Sequence, residues 1–378
     1  MELVLDFLLI TGILIACSFL FVLFKQTEKE ISHHVLITIF IFILFVFVSF
    51  YAYLHQIRTL FLFTFLLSDI VDMSIGPLLF IYVKCITGDT KKFFRNNRVH
   101  FILPTLYLIG ISIPLLIRIT SDGYEASYID RLQKVLLFTI AYSGVYCVFA
   151  LQKLIRFQVL VKLNYSNLEN KDLNWAKYLL MGAIFIISID LSTSIYELFA
   201  GDAGMDIGYF SVIPIVFLMA YLGYYGVSQS KVLLPDFLWN ISETKDIFAP
   251  NHQKKGPLKY TYDEEQMKIL RSDLTTVMNE QKPYLDENLT LSSLSDRFQV
   301  SDKKLSTLLN QHMNTSFYDY VNRFRVEEVK KMILDTANEK YTLLAIAYDC
   351  GFKSKSSFNR IFKKETGISP KDYRKKVQ

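Results

Sequence analysis

The 378-residue chain is 52% hydrophobic and 15% aromatic, with 31 Phe and 23 Tyr, and carries a formal net charge of +5. That length gives room for two or three domains, and the apolar excess excludes an ordinary soluble protein. Because the apolar residues concentrate in the first 230 positions, the expectation is a membrane region followed by a soluble region.

Seven stretches reach the length of about 20 apolar residues that a bilayer span needs. They run from Leu3 to Phe24, Val35 to Leu54, Leu60 to Val83, Phe101 to Ile117, Val135 to Leu151, Tyr178 to Leu198 and Gly208 to Val227. Met1-Glu2-Leu3 lacks the basic start of a cleaved signal peptide, so the first stretch is expected to stay as a helix. Pro77, Pro104, Pro114 and Pro214 are read as kinks within spans.

Lys and Arg in the short loops set the orientation. The first, third and fifth loops hold Lys25, Lys29, Lys84, Lys91, Lys92, Arg95, Arg98, Lys153, Arg156, Lys162, Lys171 and Lys177. The second, fourth and sixth hold only Arg58, Arg118, Arg131 and Lys134. The odd loops and the carboxyl-terminal region are therefore expected in the cytoplasm and the amino terminus outside. The localisation that follows is a membrane, crossed several times. The largest external loop, Arg118 to Lys134, is too short for a sensing domain.

Three carboxylates, Asp69, Asp72 and Asp190, fall well inside spans. An ionisable group there is expensive, so each is a candidate for an intramembrane signal site, weighed against a neutral carboxyl hydrogen-bonded between helices. Asp69 and Asp72, three apart, are expected on one helix face, with Ser68, Asp190 and Ser192 near the same interior. The four cysteines, Cys17, Cys85, Cys147 and Cys350, form no C-x-x-C and read as small buried residues. His33-His34 beside Glu28 and Glu30 reads as loop, and no metal site or cofactor is expected. There is no Walker loop, H-E-x-x-H, G-x-S-x-G or G-x-G-x-x-G, so no enzyme is expected.

From 229 to 283 the chain turns polar, with Pro235, Pro250, Gly256 and Pro257, and Asn251-His-Gln-Lys-Lys255 reads as a flexible spot. Asp263 to Gln281 then reads as an amphipathic helix, apolar at Met267, Leu270, Leu274, Val277 and Met278. Two roles fit that spacing: a helix packed on the following domain, or one that signals or pairs two chains in a homodimer.

The last hundred residues contain one pattern twice. Leu291 to Phe298 leads through Gln299-Val300 into Ser301 to His312, and Leu343 to Cys350 leads through Gly351-Phe352 into Ser354 to Lys364. Thr290, Ser301, Thr342 and Ser354 each stand where a helix cap belongs. Small Ser295 and Ala347 stand where crossing helices must approach. Between the two, Ser316 to Leu334 reads as one connecting helix. Each half is a helix-turn-helix.

Ile346 to Arg374 carries I-A-x-x-x-G-F-x-S-x-S-x-F-x-R-x-F-K-K-x-x-G-x-S-P-x-x-Y-R almost completely. In it residues 284–378 resemble the DNA-binding domain of AraC-type bacterial transcription regulators. The first half matches more loosely, with Asn314 where the family often has Gly and Ser295 where Ala is usual. Matching to the family implies that Lys303, Ser306 and Thr307 of the first recognition helix face base edges. Lys355, Ser356, Asn359 and Arg360 do so in the second, with Lys363 and Lys364 near phosphates. From 285 to 378 there are 17 Lys plus Arg against 12 Asp plus Glu, and from 342 to 378 there are 9 against 3, so phosphate attraction should concentrate in the second half.

The expected protein is all-α: a seven-helix transmembrane bundle over 1–228, a linker over 229–283, and a cytoplasmic double helix-turn-helix over 284–378. The function it implies is a membrane-bound, one-component transcription regulator whose partners are double-stranded DNA and the lipid bilayer and whose stimulus is unidentified. The rival is a seven-span receptor or transporter-like module whose tail binds a protein.

Overall fold

The computed structural model describes residues 2–88, 97–121, 129–169, 171–200, 209–229, 232 and 263–377. The proline-rich stretch with Asn251 to Lys255, the external-loop acids Asp122 and Glu125, and Lys91, Lys92 and Arg95 lie outside these residues. Within them the regular structure is helical, apart from one isolated antiparallel bridge. The chain divides into two compact units, 1–155 with 173–233, and 156–172 with 234–378.

The first unit begins with α1 (Glu2–Lys25), α2 (Ile31–Leu54), α3 (Arg58–Asp69) and α4 (Val71–Ile86). After them come α5 (Ile102–Tyr107), a π turn over Leu108–Ser112 and α6 (Ile113–Ser121). α7 (Ile129–Asn164), α8 (Asn174–Ala200) and α9 (Tyr209–Ser228) complete the set. Among the described residues six helices, counting Arg98–Thr120 as one, are long and apolar enough to cross a membrane. The stretch expected as a third continuous span is instead a pair, α3 and α4, bent by 46°. The break falls at Ile70, between Asp69 and Asp72, so these two carboxylates do not share a helix face.

Large apolar side chains such as Phe7, Phe63, Phe185 and Phe217 stay exposed on this unit. Inside, α4 and α7 meet with almost no space between them: a methyl on Gly76 would lie 2.5 Å from the Ser143 carbonyl oxygen. Ser143 Oγ donates to the Asp72 carbonyl and accepts from the Gly76 amide. Asp72 and Asp190 both face a cavity of about 180 Å³, otherwise lined mainly by aliphatic side chains such as Ile39, Leu79 and Leu222. Asp69 turns elsewhere, accepting from Ser112 Oγ at 2.6 Å. Ser68 bonds Ser49 at 3.1 Å and Ser192 bonds back to the Ser188 carbonyl, so neither lines that cavity. His33 and Glu30 form a reciprocal cap at the start of α2, which gives His33 a purely local role. Among the described residues no group of side chains is arranged to hold a metal.

The second unit adds α10 (Glu264–Glu280), α11 (Leu291–Arg297), α12 (Asp302–Thr307, continued by a π turn to His312), α13 (Phe317–Leu334), α14 (Leu343–Asp349), α15 (Lys355–Thr366) and α16 (Pro370–Val377). α10 is capped by Asp263 and buries Met267, Leu270, Leu274 and Met278 against Leu291, Leu294, Leu305, Leu309 and Val321. Its apolar stripe is thereby used inside the domain, which is the packed-helix role of the two that its spacing fits. The second half has its own core, where Val329, Ile346, Ala347, Phe358, Ile361 and Phe362 are at most 4% exposed.

Candidate nucleic-acid interface

Side-chain caps start the helices of both halves. Thr290 accepts from the Ser293 amide at 3.1 Å, Ser301 from Lys304 at 3.2 Å, Thr342 from Ala345 at 3.1 Å and Ser354 from Ser357 at 3.4 Å. Each cap satisfies an amide that the first helical turn leaves without a partner. Between the paired helices the backbone turns left-handed in each half, at Gln299 (φ 52) and at Gly351 (φ 84). Asn314, also left-handed at φ 49, supplies the turn into α13 that Gly supplies elsewhere. Ser295 and Ala347 are fully buried, as their places at the helix crossings require.

In the chain α13 lies between α12 and α15. At 1.5 Å per residue the 18 residues of α13 span about 27 Å, close to the roughly 34 Å of one duplex turn. On α15, Lys355, Ser356, Asn359, Arg360, Lys363 and Lys364 are all exposed, while Phe358, Ile361 and Phe362 anchor the opposite face. On α12, Lys303 and Thr307 are half-buried. Ser306 departs from its expected place on the surface: it is 3% exposed, and its hydroxyl accepts from Asn310 Nδ2 at 3.1 Å, so it stabilises the π turn from inside.

Two of the expected DNA contacts on α15 are braced from α13. Arg360 Nη2 donates to the Tyr318 hydroxyl at 2.8 Å, and Lys364 Nζ donates to Asp319 Oδ1 at 2.7 Å. Burial would raise the Asp319 carboxyl, but Lys364 and the Ser316 hydroxyl outweigh it and hold the carboxyl below the usual range. The same contact pushes the Lys364 ammonium up. Both braces tie α15 to the start of α13. Tyr318 and Asp319 are the functional partners that sequence spacing missed, because they lie 42 and 45 positions from the residues they hold.

A small capped helix, a left-handed turn and a basic second helix, built twice around one long helix, define a paired helix-turn-helix. A family model described as "Helix-turn-helix domain" matches residues 294–376. An uncharacterized HTH-type transcriptional regulator of Staphylococcus aureus strain COL is 32% identical over 114 residues, covering 30% of this chain and 15% of that protein. The HTH-type transcriptional activator RhaS of Escherichia fergusonii is 28% identical over 88 residues, 23% of this chain and 31% of its own. YijO of Escherichia coli K12, an uncharacterized HTH-type transcriptional regulator, is 32% identical over 100 residues, 25% and 34% of the two chains. The similarity thus covers 15% to 34% of the length of these relatives. A solved Listeria innocua protein of unknown function is 32% identical over 29% of this chain and 98% of its own, with a TM-score of 0.25.

The carboxyl-terminal region is an AraC-type helix-turn-helix domain. Its homologues are HTH-type transcriptional regulators, a class that is not enzymatic.

Proposed function

We propose that this protein is a membrane-embedded, one-component transcription regulator. Its apolar region sits in a bacterial inner membrane, amino terminus outside, and its cytoplasmic domain binds double-stranded DNA through α12 and α15. The observation that carries this reading is one of composition in a single chain: six helices of spanning length and a bent seventh pair precede a domain whose exposed α15 presents four cations, Lys355, Arg360, Lys363 and Lys364. Lys and Arg crowd the loops expected on the cytoplasmic side, and an odd number of spans delivers the tail to that side.

Within this reading, Asp72 and Asp190 in their cavity form the signal site. Two carboxylates at membrane depth in an aliphatic surround are the groups most able to bind a ligand or proton differently in two states of the bundle. Asp69, tied to Ser112, holds α3 to the π turn.

Topology and DNA binding are tested together. Reporter fusions after Val227 are active only with a cytoplasm-requiring reporter, and fusions between Asp202 and Asp206 only with an exported one. The full-length chain in micelles retards a duplex that it has itself selected from a random pool. The opposite fusion pattern refutes the orientation, and no retardation at low salt refutes the DNA-binding role.

A further inference from the structure

The second unit includes a stretch from the first half of the chain: the end of α7 and the residues after it, 156–172. Past Asn164 the chain becomes extended, and Tyr165 forms an antiparallel bridge with Thr290, the cap of α11. Ser166, 1% exposed, follows. Its amide donates to the Leu289 carbonyl at 3.4 Å and its hydroxyl donates to the same oxygen at 2.7 Å. Its carbonyl accepts from Asn322 Nδ2 at 3.0 Å and from Arg325 Nη1 at 3.2 Å, and its hydroxyl oxygen accepts from Arg325 Nη2 at 3.1 Å. Each polar group of Ser166 is engaged by the domain.

The groove is equally committed. Arg325, 1% exposed on α13, also donates from Nε to the Tyr284 carbonyl at 2.7 Å, from Nη2 to the Asp286 carbonyl at 2.7 Å and from Nη1 to Asn322 Oδ1 at 3.4 Å. A guanidinium carries five N–H groups. All five have acceptors here, and Ser166 supplies two of them. Burial pushes the Arg325 guanidinium down to about 10, so it stays charged at neutral pH. Charged donors left unmet in such a site carry a penalty larger than that of an ordinary lost hydrogen bond. The groove is therefore shaped for an extended segment that offers a carbonyl and a hydroxyl from one residue.

We propose that residues 165–168 are a strap that the helix-turn-helix domain binds in cis, and that its seating holds the first half on α13 in the arrangement that engages DNA. One residue, Ser166, grips both the lead into α11 at Leu289 and the middle of α13 at Asn322 and Arg325. With the strap seated, the relation of the two halves is set before DNA arrives. Unseated, binding must also freeze that freedom, and affinity falls. The strap follows α7 directly in the chain. The consequence for DNA rests on the proposed function; the seating itself does not.

The test uses the full-length chain in micelles. Ser166→Pro removes the amide and the hydroxyl. Expected are at least tenfold faster hydrogen exchange over 286–291, unchanged exchange over 305–312 and 358–364, and at least threefold weaker binding to a duplex selected by the wild type. In a Cys17→Ser background, Tyr165→Cys with Thr290→Cys should cross-link under mild oxidation, since residues opposed across an antiparallel bridge have Cα atoms about 4.5–5.5 Å apart, inside the roughly 4.4–6.8 Å that a disulfide spans. The cross-linked chain should keep its affinity within twofold. If Ser166→Pro speeds exchange everywhere, the cross-link alone decides. Unchanged exchange over 286–291 in a folded variant, no cross-link, or DNA binding that is unchanged or tighter on release overturns the proposal. A wild type that binds no duplex refutes the proposed function, while exchange and cross-linking still decide the seat.

Discussion

Replacing Gly351 by Ala tests whether the turn into the second recognition helix is set by sterics. Gly351 sits at φ 84, where a residue with a Cβ loses roughly 1–2 kcal/mol of backbone energy. Contact adds to this. The new methyl would lie 2.4 Å from the Tyr284 carbonyl oxygen, 2.8 Å from that of Leu285 and 3.0 Å from Arg325 Nε. Two of these are backbone atoms that cannot rotate away, and Tyr284 O is already the acceptor for Arg325 Nε at 2.7 Å. Forcing a methyl into such a space costs about 1–3 kcal/mol. The total is about 2–5 kcal/mol, a large share of the roughly 5–15 kcal/mol that holds a domain together. Gly367 is an internal control, because it has φ 80 but nothing within 4 Å of the place its Cβ would take. Gly367→Ala should therefore lose only the backbone part. Urea unfolding of residues 260–378, followed by circular dichroism, should show Gly351→Ala less stable than Gly367→Ala by about 1–3 kcal/mol. Equal losses would refute the close-approach argument and leave backbone strain as the whole effect.

Lys363→Ala should flatten the salt dependence of DNA binding by about one unit of slope. Lys364→Ala should do so by less, because Lys364 already has Asp319 as partner; filter binding across a salt series separates the two. Arg360→Ala should relax preference at one base pair by about 1–3 kcal/mol, and Tyr318→Phe should weaken the same preference; equal losses on selected and random duplexes would remove Arg360 from base readout. Asp319→Asn should destabilise residues 260–378 by about 0.2–1 kcal/mol at neutral pH, the range of a partly exposed pair. Since the Asp319 carboxyl is held low, that contribution is present above the unfolded value of about 3.9 and vanishes as pH falls through the lower folded value, so wild type and variant should converge in strong acid. Asp72→Asn and Asp190→Asn should alter target-gene expression without changing protein level, and normal regulation by both would make these carboxylates structural.

Much of the second unit was legible because its rules are local. A cap three residues ahead of an amide, an apolar stripe at 3.6-residue spacing and a small residue at a crossing each leave a mark within one turn, and Thr290, Leu305, Leu308 and Ala347 behave as marked. What escaped was non-local or ran against residue type. Arg325 is a cation in the core, satisfied by carbonyls that no spacing rule connects to it. Ser306 looks like a surface hydroxyl until the π turn brings Asn310 onto it. In the first unit the break at Ile70 was hidden because neither Gly nor Pro stands at it, the first Pro of α4 being Pro77, seven residues on. Asp69 and Asp72 were placed together by counting along a helix that stops between them.

α10 has a consequence for exchanging parts between proteins. Cutting the chain just before Tyr284 would keep both helix-turn-helix motifs yet strip Met267, Leu270, Leu274 and Met278 from the face they cover. Leu291, Leu294 and Leu309 would then meet water, and such a graft should aggregate even with its recognition helices intact. A transferable module needs α10 from its Asp263 cap onward, together with the 165–168 strap that meets Arg325, so any input region fused upstream must deliver its signal into a helix that is already part of the core.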